Sequence, residues 1–404
     1  MRSTKKIACI FNMNNNMFTL TRFLRDRGFD AELILFNEDD HFLPENDTFS
    51  SDSKNYSFQY DWLDTDNYVP KVTKEEIKNV LSRYDLIIGC GFVPAFCDYA
   101  GIKLDIFVPY GSDFYTLPFK SHKFFGQYTL KDNYPMYQKS GIEKSKHVLF
   151  DYTSEQEKVF EKFDMKGKRH YLYVPVFYTP EFNKNNVENL FDQSKLYPLI
   201  KKLRSDNDLL FIQHCRQSWK NPQDEFSNKG NDLLLRAFAM FVSKRSELKV
   251  KLLLLEYGND VKASKELINE LGIDEHIVWI PRSPRKEIMI AISMSDLGIG
   301  ELTLSFLIYG AVGEFMSMNL PFILNCVEKE YLGKYPELYP MNHANSVETV
   351  FDHLIAFSNN KENYISRSEK TFEWFNKFII TDPLDKICSI LDEEFAPWHK
   401  KIFK

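Results

Sequence analysis

Two cations and an acid stand out by where they fall in the chain. Arg216 follows the apolar run 209–213 and His214-Cys215, and Lys229-Gly230 opens a helical pattern thirteen positions after it. A guanidinium and an ammonium at the mouth of a buried strand can neutralise a diphosphate through charge-assisted hydrogen bonds. Further along, Tyr309-Gly310-Ala311-Val312-Gly313 reads as a glycine-containing loop entering a helix over 313–318, with Glu314 at its start and Asn319-Leu320-Pro321 behind it. Amides and a helix dipole there can face phosphate, and a carboxylate at Glu314 can hold the two hydroxyls of a ribose. The first half carries a milder pair of segments, Tyr110-Gly111-Ser112-Asp113 after the run 105–109, and Asn12-Met13-Asn14-Asn15-Asn16 after the first apolar run. The first follows a strand end, where open α/β sheets form ligand sites, and the amides of the second can hydrogen-bond a sugar. The plainer readings are a turn with Asp113 as a helix cap, a surface salt bridge for Arg216, and a Glu314 favoured only by the dipole.

Such groups need strands to end at them and helices to start beside them. Apolar runs of strand length alternate with helical patterns along the whole chain, which predicts an α/β fold of two Rossmann-like, doubly wound domains. In the first half the expected strands are 7–11, 31–36, 85–89, 105–109, 147–150 and 170–174, with helices at 17–27, 74–83 and 155–163. In the second half the strands are 209–213, 249–256, 276–280, 296–300 and 321–326, with helices at 232–244, 261–271, 285–293 and 313–318. Helices at 347–357, 363–378 and 383–395 follow. The polar stretch 178–186 has no periodicity, so the domains are drawn as 1–185 and 186–375, with a tail 376–404 that crosses back to brace the first. Two lobes imply a cleft, and the Asp-, Asn- and Ser-rich stretch 36–68 is expected to be a long loop over it.

At 404 residues the chain is too long for one core. A net charge of −6 gives no basic field for nucleic acid, so none is expected as a partner. The six cysteines form no Cys-x-x-Cys pair, which points to a reduced compartment and no structural metal. With no secretory or membrane-spanning run, the expected location is cytoplasmic; the basic, aromatic tail 398–404 reads first as a frayed helix end and second as a contact with the anionic inner membrane surface. Asp64-Thr65-Asp66 is read as a solvated loop rather than a cation site, and His214 and Cys215 as core or supporting residues.

These motifs together resemble glycosyltransferases of the GT-B fold, and within them the retaining family four, the "glycosyltransferases group 1". The resemblance is densest over 209–326. The family's strand-end Arg and its Lys-Gly are matched by Arg216 and Lys229-Gly230 across a longer loop, in which 217–228 is a candidate donor flap. A strand with a terminal Gly is matched at 252–258, and Leu-Gly before a strand at 271–280. Pro281-Arg282-Ser283-Pro284 falls where relatives cradle the base. Of the family's Glu-x7-Glu motif the second acid matches Glu314, while Phe306 occupies the first position and Glu301 is the nearest earlier acid. Tyr110 stands where a His is common. The resemblance implies Arg216, Lys229, Glu314 and Asp113 in catalysis. It implies Arg282, Glu301, Tyr309, Gly310, Ala311, Val312 and Gly313 at the donor, and Asn14, Asn15, Tyr110, Gly111 and Ser112 at a glycan or lipid-linked acceptor. The implied co-substrate is a UDP- or GDP-linked sugar, with no metal or other cofactor. A sugar-nucleotide epimerase of the same fold and a non-catalytic binding subunit are the alternatives.

Overall fold

The computed structural model describes residues 5–36, 43–64, 69–120, 129–150, 154–222 and 227–396. The chain divides into two compact units, Met1–Tyr178 with Ile379–Lys404, and Thr179–Phe378. The expected divisions, after 185 and after 375, differ from these by a few residues.

The first unit is built on β1 (Lys6–Ile10), β2 (Asp30–Phe36) and β3 (Ser57–Tyr60), a small antiparallel hairpin of β4 (Leu63–Asp64) and β5 (Val69–Pro70), and β6 (Leu86–Gly89), β7 (Ile106–Phe107), β8 (His147–Phe150) and β9 (Lys168–Tyr171). Its parallel sheet runs β3-β2-β1-β6-β7-β8-β9. The second unit repeats the plan with β10 (Leu209–Gln213), β11 (Val250–Glu256), β12 (Ile277–Pro281), β13 (Leu297–Ile299) and β14 (Phe322–Ile323), in the order β12-β11-β10-β13-β14. In both, the chain reverses direction across the sheet beside its first strand, so the strand ends flanking β1 and β10 are where open α/β sheets form ligand sites.

Central strands are apolar but for an end residue, Lys6 in β1 and Gln213 in β10, as parallel strands buried on both faces require. The five residues of β10 are all buried, and Phe211 packs there with Phe238, Phe241 and Phe357. The first unit's core is aromatic, with Phe11, Phe36, Trp62, Phe92 and Phe96 in mutual edge and stacked contacts.

Several expectations are corrected. The stretch 36–68 is not one loop: its described part holds the helix Pro44–Asp47, the edge strand β3 and β4. Helices Val93–Ala100, Leu130–Lys144 and Tyr197–Asp206 had no counterpart among the expected ones. The first is apolar nearly all round and the second carries Pro135 inside it, so neither shows a clean amphipathic period. The strands expected at 105–109 and 321–326 shorten to β7 and β14. The helix Lys361–Phe375 continues through a π-helical turn, Asn376–Thr381, into Asp382–Phe395. That last helix joins the first unit through Arg27–Asp385 at 2.6 Å, Lys146–Glu394 at 3.0 Å and His147–Glu394 at 3.4 Å.

Candidate active site

At the end of β10 the chain leaves the sheet through His214, Cys215 and Arg216. The next residues are fixed from below. The Gln217 amide donates to the Tyr257 carbonyl, the Asp260 amide to the Gln217 carbonyl at 3.0 Å, and the Ser264 hydroxyl to the Gln217 side chain at 2.9 Å. The Asp260 carboxylate accepts the amides of Trp219, Lys220 and Asn221. Burial opposes its ionisation, but those amides hold its pKa below the ordinary aspartate value. Gly258, at φ +111, passes so close that a Cβ there would lie 2.4 Å from the Gln217 carbonyl oxygen. Arg216 is exposed on this braced loop and has no hydrogen bond or ion pair among the described residues, although its charge reaches Glu301 and Tyr257. Arg282, after β12, is also exposed and also acts on Tyr257.

Lys229 lies beside the loop that follows β13. Its amide donates to the Ser218 carbonyl at 2.7 Å, its carbonyl accepts from the Leu302 amide, and the Thr303 hydroxyl donates to the Asn228 carbonyl at 2.6 Å. Gly230 turns the chain at φ +65, against Leu302 and Thr303, into the helix Asn231–Lys244. The Lys229 ammonium pairs with Glu301 Oε1 at 2.7 Å. Glu301 is 7% exposed, and its other oxygen has no hydrogen-bond partner among the described residues. Burial pushes its pKa up, with Lys229 and Arg216 pulling it back. The Tyr309 hydroxyl accepts from the Glu301 amide.

The segment 310–313 is helical, not a loop. Its helix, Gly310–Ser317, starts three residues earlier than expected because Tyr309, in extended conformation, already caps it. The Gly313 amide is spent on the Tyr309 carbonyl at 2.8 Å, while the amides of Gly310, Ala311 and Val312 have no acceptor in the described chain. Glu314 therefore sits in the second turn. It is 7% exposed, and both oxygens are taken: Oε2 by His214 Nε2 at 2.5 Å, Oε1 by Arg285 Nε at 2.8 Å. Burial works against its charge, but His214 and Arg285 keep its pKa below the ordinary glutamate value. A bidentate ribose contact from Glu314 would have to displace these partners. His214 Nδ1 is buried without a hydrogen-bond partner among the described residues.

In the first unit, Asp113 is 4% exposed and its oxygens accept the amides of Gly91, Tyr110 and Gly111 at 2.7 to 3.3 Å. Burial raises its pKa against those bonds. Gln138 completes the knot by donating to the carbonyls of Gly91 and Asp113, both at 2.9 Å. Asp113 thus holds the loop Tyr110-Gly111-Ser112 in place through those amides. Tyr110 itself is 40% exposed. Asn14 and Asn15 both take left-handed φ, and the buried Asn15 side chain bonds Asn12 at 3.0 Å and Asp47 at 3.2 Å, so it shapes the turn. Asp64-Thr65-Asp66 and the tail 398–404 fall partly or wholly outside the described residues, as does part of 217–228. Among the described residues, no group of three or more His, Cys, Asp or Glu could hold a metal, and no helix is long and apolar enough to cross a membrane.

No family model and no curated protein sequence matches the chain. Its fold does match solved structures. HepE from Anabaena in complex with UDP-glucose superposes with a TM-score of 0.62 at 14% identity, over 96% of this chain and 100% of that one. A glycosyltransferase from Rickettsia africae gives 0.60 at 15% identity, over 98% and 100%. A Listeria monocytogenes structure assigned as a UDP-N-acetylglucosamine 2-epimerase gives 0.58 at 12% identity, over 98% and 97%. At such identities the likeness shows the fold: two Rossmann-like domains of the kind found in GT-B glycosyltransferases.

Proposed function

We propose that the chain is a glycosyltransferase that moves a sugar from a UDP- or GDP-linked donor to a glycan or lipid-linked acceptor. One observation carries this reading. At the C-terminal edge of the second sheet, Arg216 has no hydrogen bond or ion pair among the described residues, Lys229 is held by Glu301, and the amides of Gly310, Ala311 and Val312 open the helix. That set offers positive charge and directed donors to an anion and little to anything else. In the step proposed, the bond from the anomeric carbon to the β-phosphate oxygen breaks as the acceptor oxygen bonds to that carbon. The nucleoside diphosphate leaves, and the acceptor proton passes to a leaving phosphate oxygen. Arg216 and Lys229 stabilise the departing charge, and retention follows from attack on the same face. This chemistry draws its positive charge from the chain without a metal. Arg282 is the donor-base candidate. The loop Tyr110-Gly111-Ser112 and the turn at Asn14 hold the acceptor. The work is cytoplasmic synthesis of a surface glycan, resembling that of family four.

The second reading is a sugar-nucleotide epimerase, favoured by the likeness to the Listeria structure and by Phe306 in place of the first motif acid. The two separate in one assay. Free UDP that appears from UDP-glucose only when an acceptor glycan is added supports transfer. Interconversion of UDP-N-acetylglucosamine with its 2-epimer, without acceptor, supports epimerisation and contradicts the first reading.

A further inference from the structure

We propose that Glu301 takes up one proton from solvent when a nucleoside-diphosphate group binds, and that the neutral carboxyl then donates its hydrogen to a phosphate oxygen. The inference rests on the diphosphate reading of the second unit's edge. Glu301 closes β13 almost fully buried, with Oε1 on Lys229 at 2.7 Å and Oε2 without a hydrogen-bond partner among the described residues. The groups that face it come from each neighbouring segment: Cys215 and Arg216 after β10, Lys229 before the helix Asn231–Lys244, and Tyr309 before the helix Gly310–Ser317. Burial pushes the Cys215 thiol up to about 12 and the Tyr309 phenol well above its ordinary value, so both are neutral near pH 7. The charge on Glu301 is therefore supported by Lys229 and Arg216.

These are the cations the diphosphate would recruit. Once they turn to phosphate, a buried carboxylate would share its site with two further negative charges, and like charges in one low-dielectric site resolve by binding a proton. The unpartnered Oε2 is where that proton adds, and adding it converts an acceptor with nothing to accept into a donor. No other bond changes: one proton leaves the solvent and joins the carboxylate. Affinity then rises as pH falls, by at most about tenfold per pH unit, between the pKa of Glu301 in the free protein and its higher value in the complex.

The test is isothermal titration of the full-length protein with UDP-glucose at pH 7, in PIPES and in Tris, whose ionisation enthalpies differ widely. The pyrophosphate of UDP-glucose has no ionisation of its own near neutrality. Wild type should show a buffer-dependent enthalpy corresponding to uptake of a substantial part of one proton, up to about 1. Glu301→Gln, which already carries a hydrogen donor, should bind with no buffer dependence. Wild-type binding with equal enthalpies in both buffers overturns the inference, and so does a Glu301→Gln protein with the wild-type slope. An absent wild-type slope overturns the inference even if the variant folds poorly, and Glu301→Asp, which keeps the carboxyl, should then retain a slope that Glu301→Gln lacks. Absence of binding by UDP-glucose and by GDP-, ADP-, CMP- and dTDP-sugars would instead remove the nucleotide reading on which the inference stands.

Discussion

The two units use one sheet plan but spend their polar groups differently at the equivalent edge. Beside β1 and β6, the buried acid Asp113 is wrapped in backbone amides, and Asn15 is tied to Asn12 and Asp47. Nothing in that arrangement calls for a charged ligand. Beside β10 and β13, the backbone is braced by Asp260, Gln217 and Gly258, and the charged ends are left over: Arg216 exposed, Lys229 on a half-satisfied Glu301, three helix amides open. A loop whose polar groups bond one another is fixed in shape, whereas a loop that leaves them facing outward has donors to offer, which is what the proposed diphosphate site needs. Substitutions should therefore separate, with first-unit changes read in stability and second-unit changes read in ligand affinity.

The largest effect is expected at Lys229. Lys229→Ala should lower kcat/KM for UDP-glucose by about 10²–10³-fold, and should also lower stability, because a buried Glu301 without its cation costs about 3–5 kcal/mol. The paired variant Lys229→Ala with Glu301→Gln should recover most of the melting temperature and none of the activity. Asp113→Ala is the opposite case. It strands three amides in a buried loop, each worth about 1–3 kcal/mol, so calorimetry should show a clear fall in melting temperature while nucleotide affinity stays within about twofold, because Asp113 shares no hydrogen-bond partner with Arg216 or Lys229 among the described residues. Arg216→Ala removes an exposed side chain that makes no hydrogen bond or ion pair among the described residues. Its melting temperature should hold, and nucleotide affinity should fall by roughly 10- to 100-fold, the loss of about 1.5–3 kcal/mol for a hydrogen bond to a charged group.

Glu314→Gln tests whether the His214–Glu314–Arg285 chain is structural. The folded pKa of Glu314 lies below its ordinary value, so its ionised form adds stability that is complete above that value and is lost as pH falls through the folded pKa. The gap in melting temperature between wild type and Glu314→Gln should be constant near neutrality and narrow below about pH 4, near the ordinary glutamate value. The smallest effect is Gly230→Ala. A left-handed φ and a Cβ 3.0 Å from Leu302 predict a loss of about 1 kcal/mol and a modest drop in affinity, as the turn that presents Lys229 shifts.

The placement of Arg216 and Lys229 was legible because each is marked by a local pattern, a buried strand ending before one and a helix starting after the other. The two-domain alternation was legible for the same reason, since parallel strands buried on both faces read as short apolar runs. The state of Glu314 was not. His214 lies 100 positions from it and Arg285 lies 29, and no local period joins residues on three different elements. The bonding of Asp113 was hidden for a related reason: a Gly-Ser-Asp after a strand is the same string whether or not the acid folds back onto Gly91, and only the tertiary turn shows it. The start of the helix Gly310–Ser317 was missed because two glycines in five residues resemble a loop, although extended Tyr309 caps it.

The most direct test of the central claim is a thermal-shift panel of UDP-, GDP-, ADP-, CMP- and dTDP-sugars on wild type and Arg216→Ala. A ligand at about 100 times its Kd adds about 2.7 kcal/mol to the folded state. Stabilisation of wild type by one nucleotide family, cut to about half or less in Arg216→Ala at the same concentration, is the predicted result. Equal stabilisation of both proteins, or of neither, would contradict a diphosphate site built on Arg216 and Lys229.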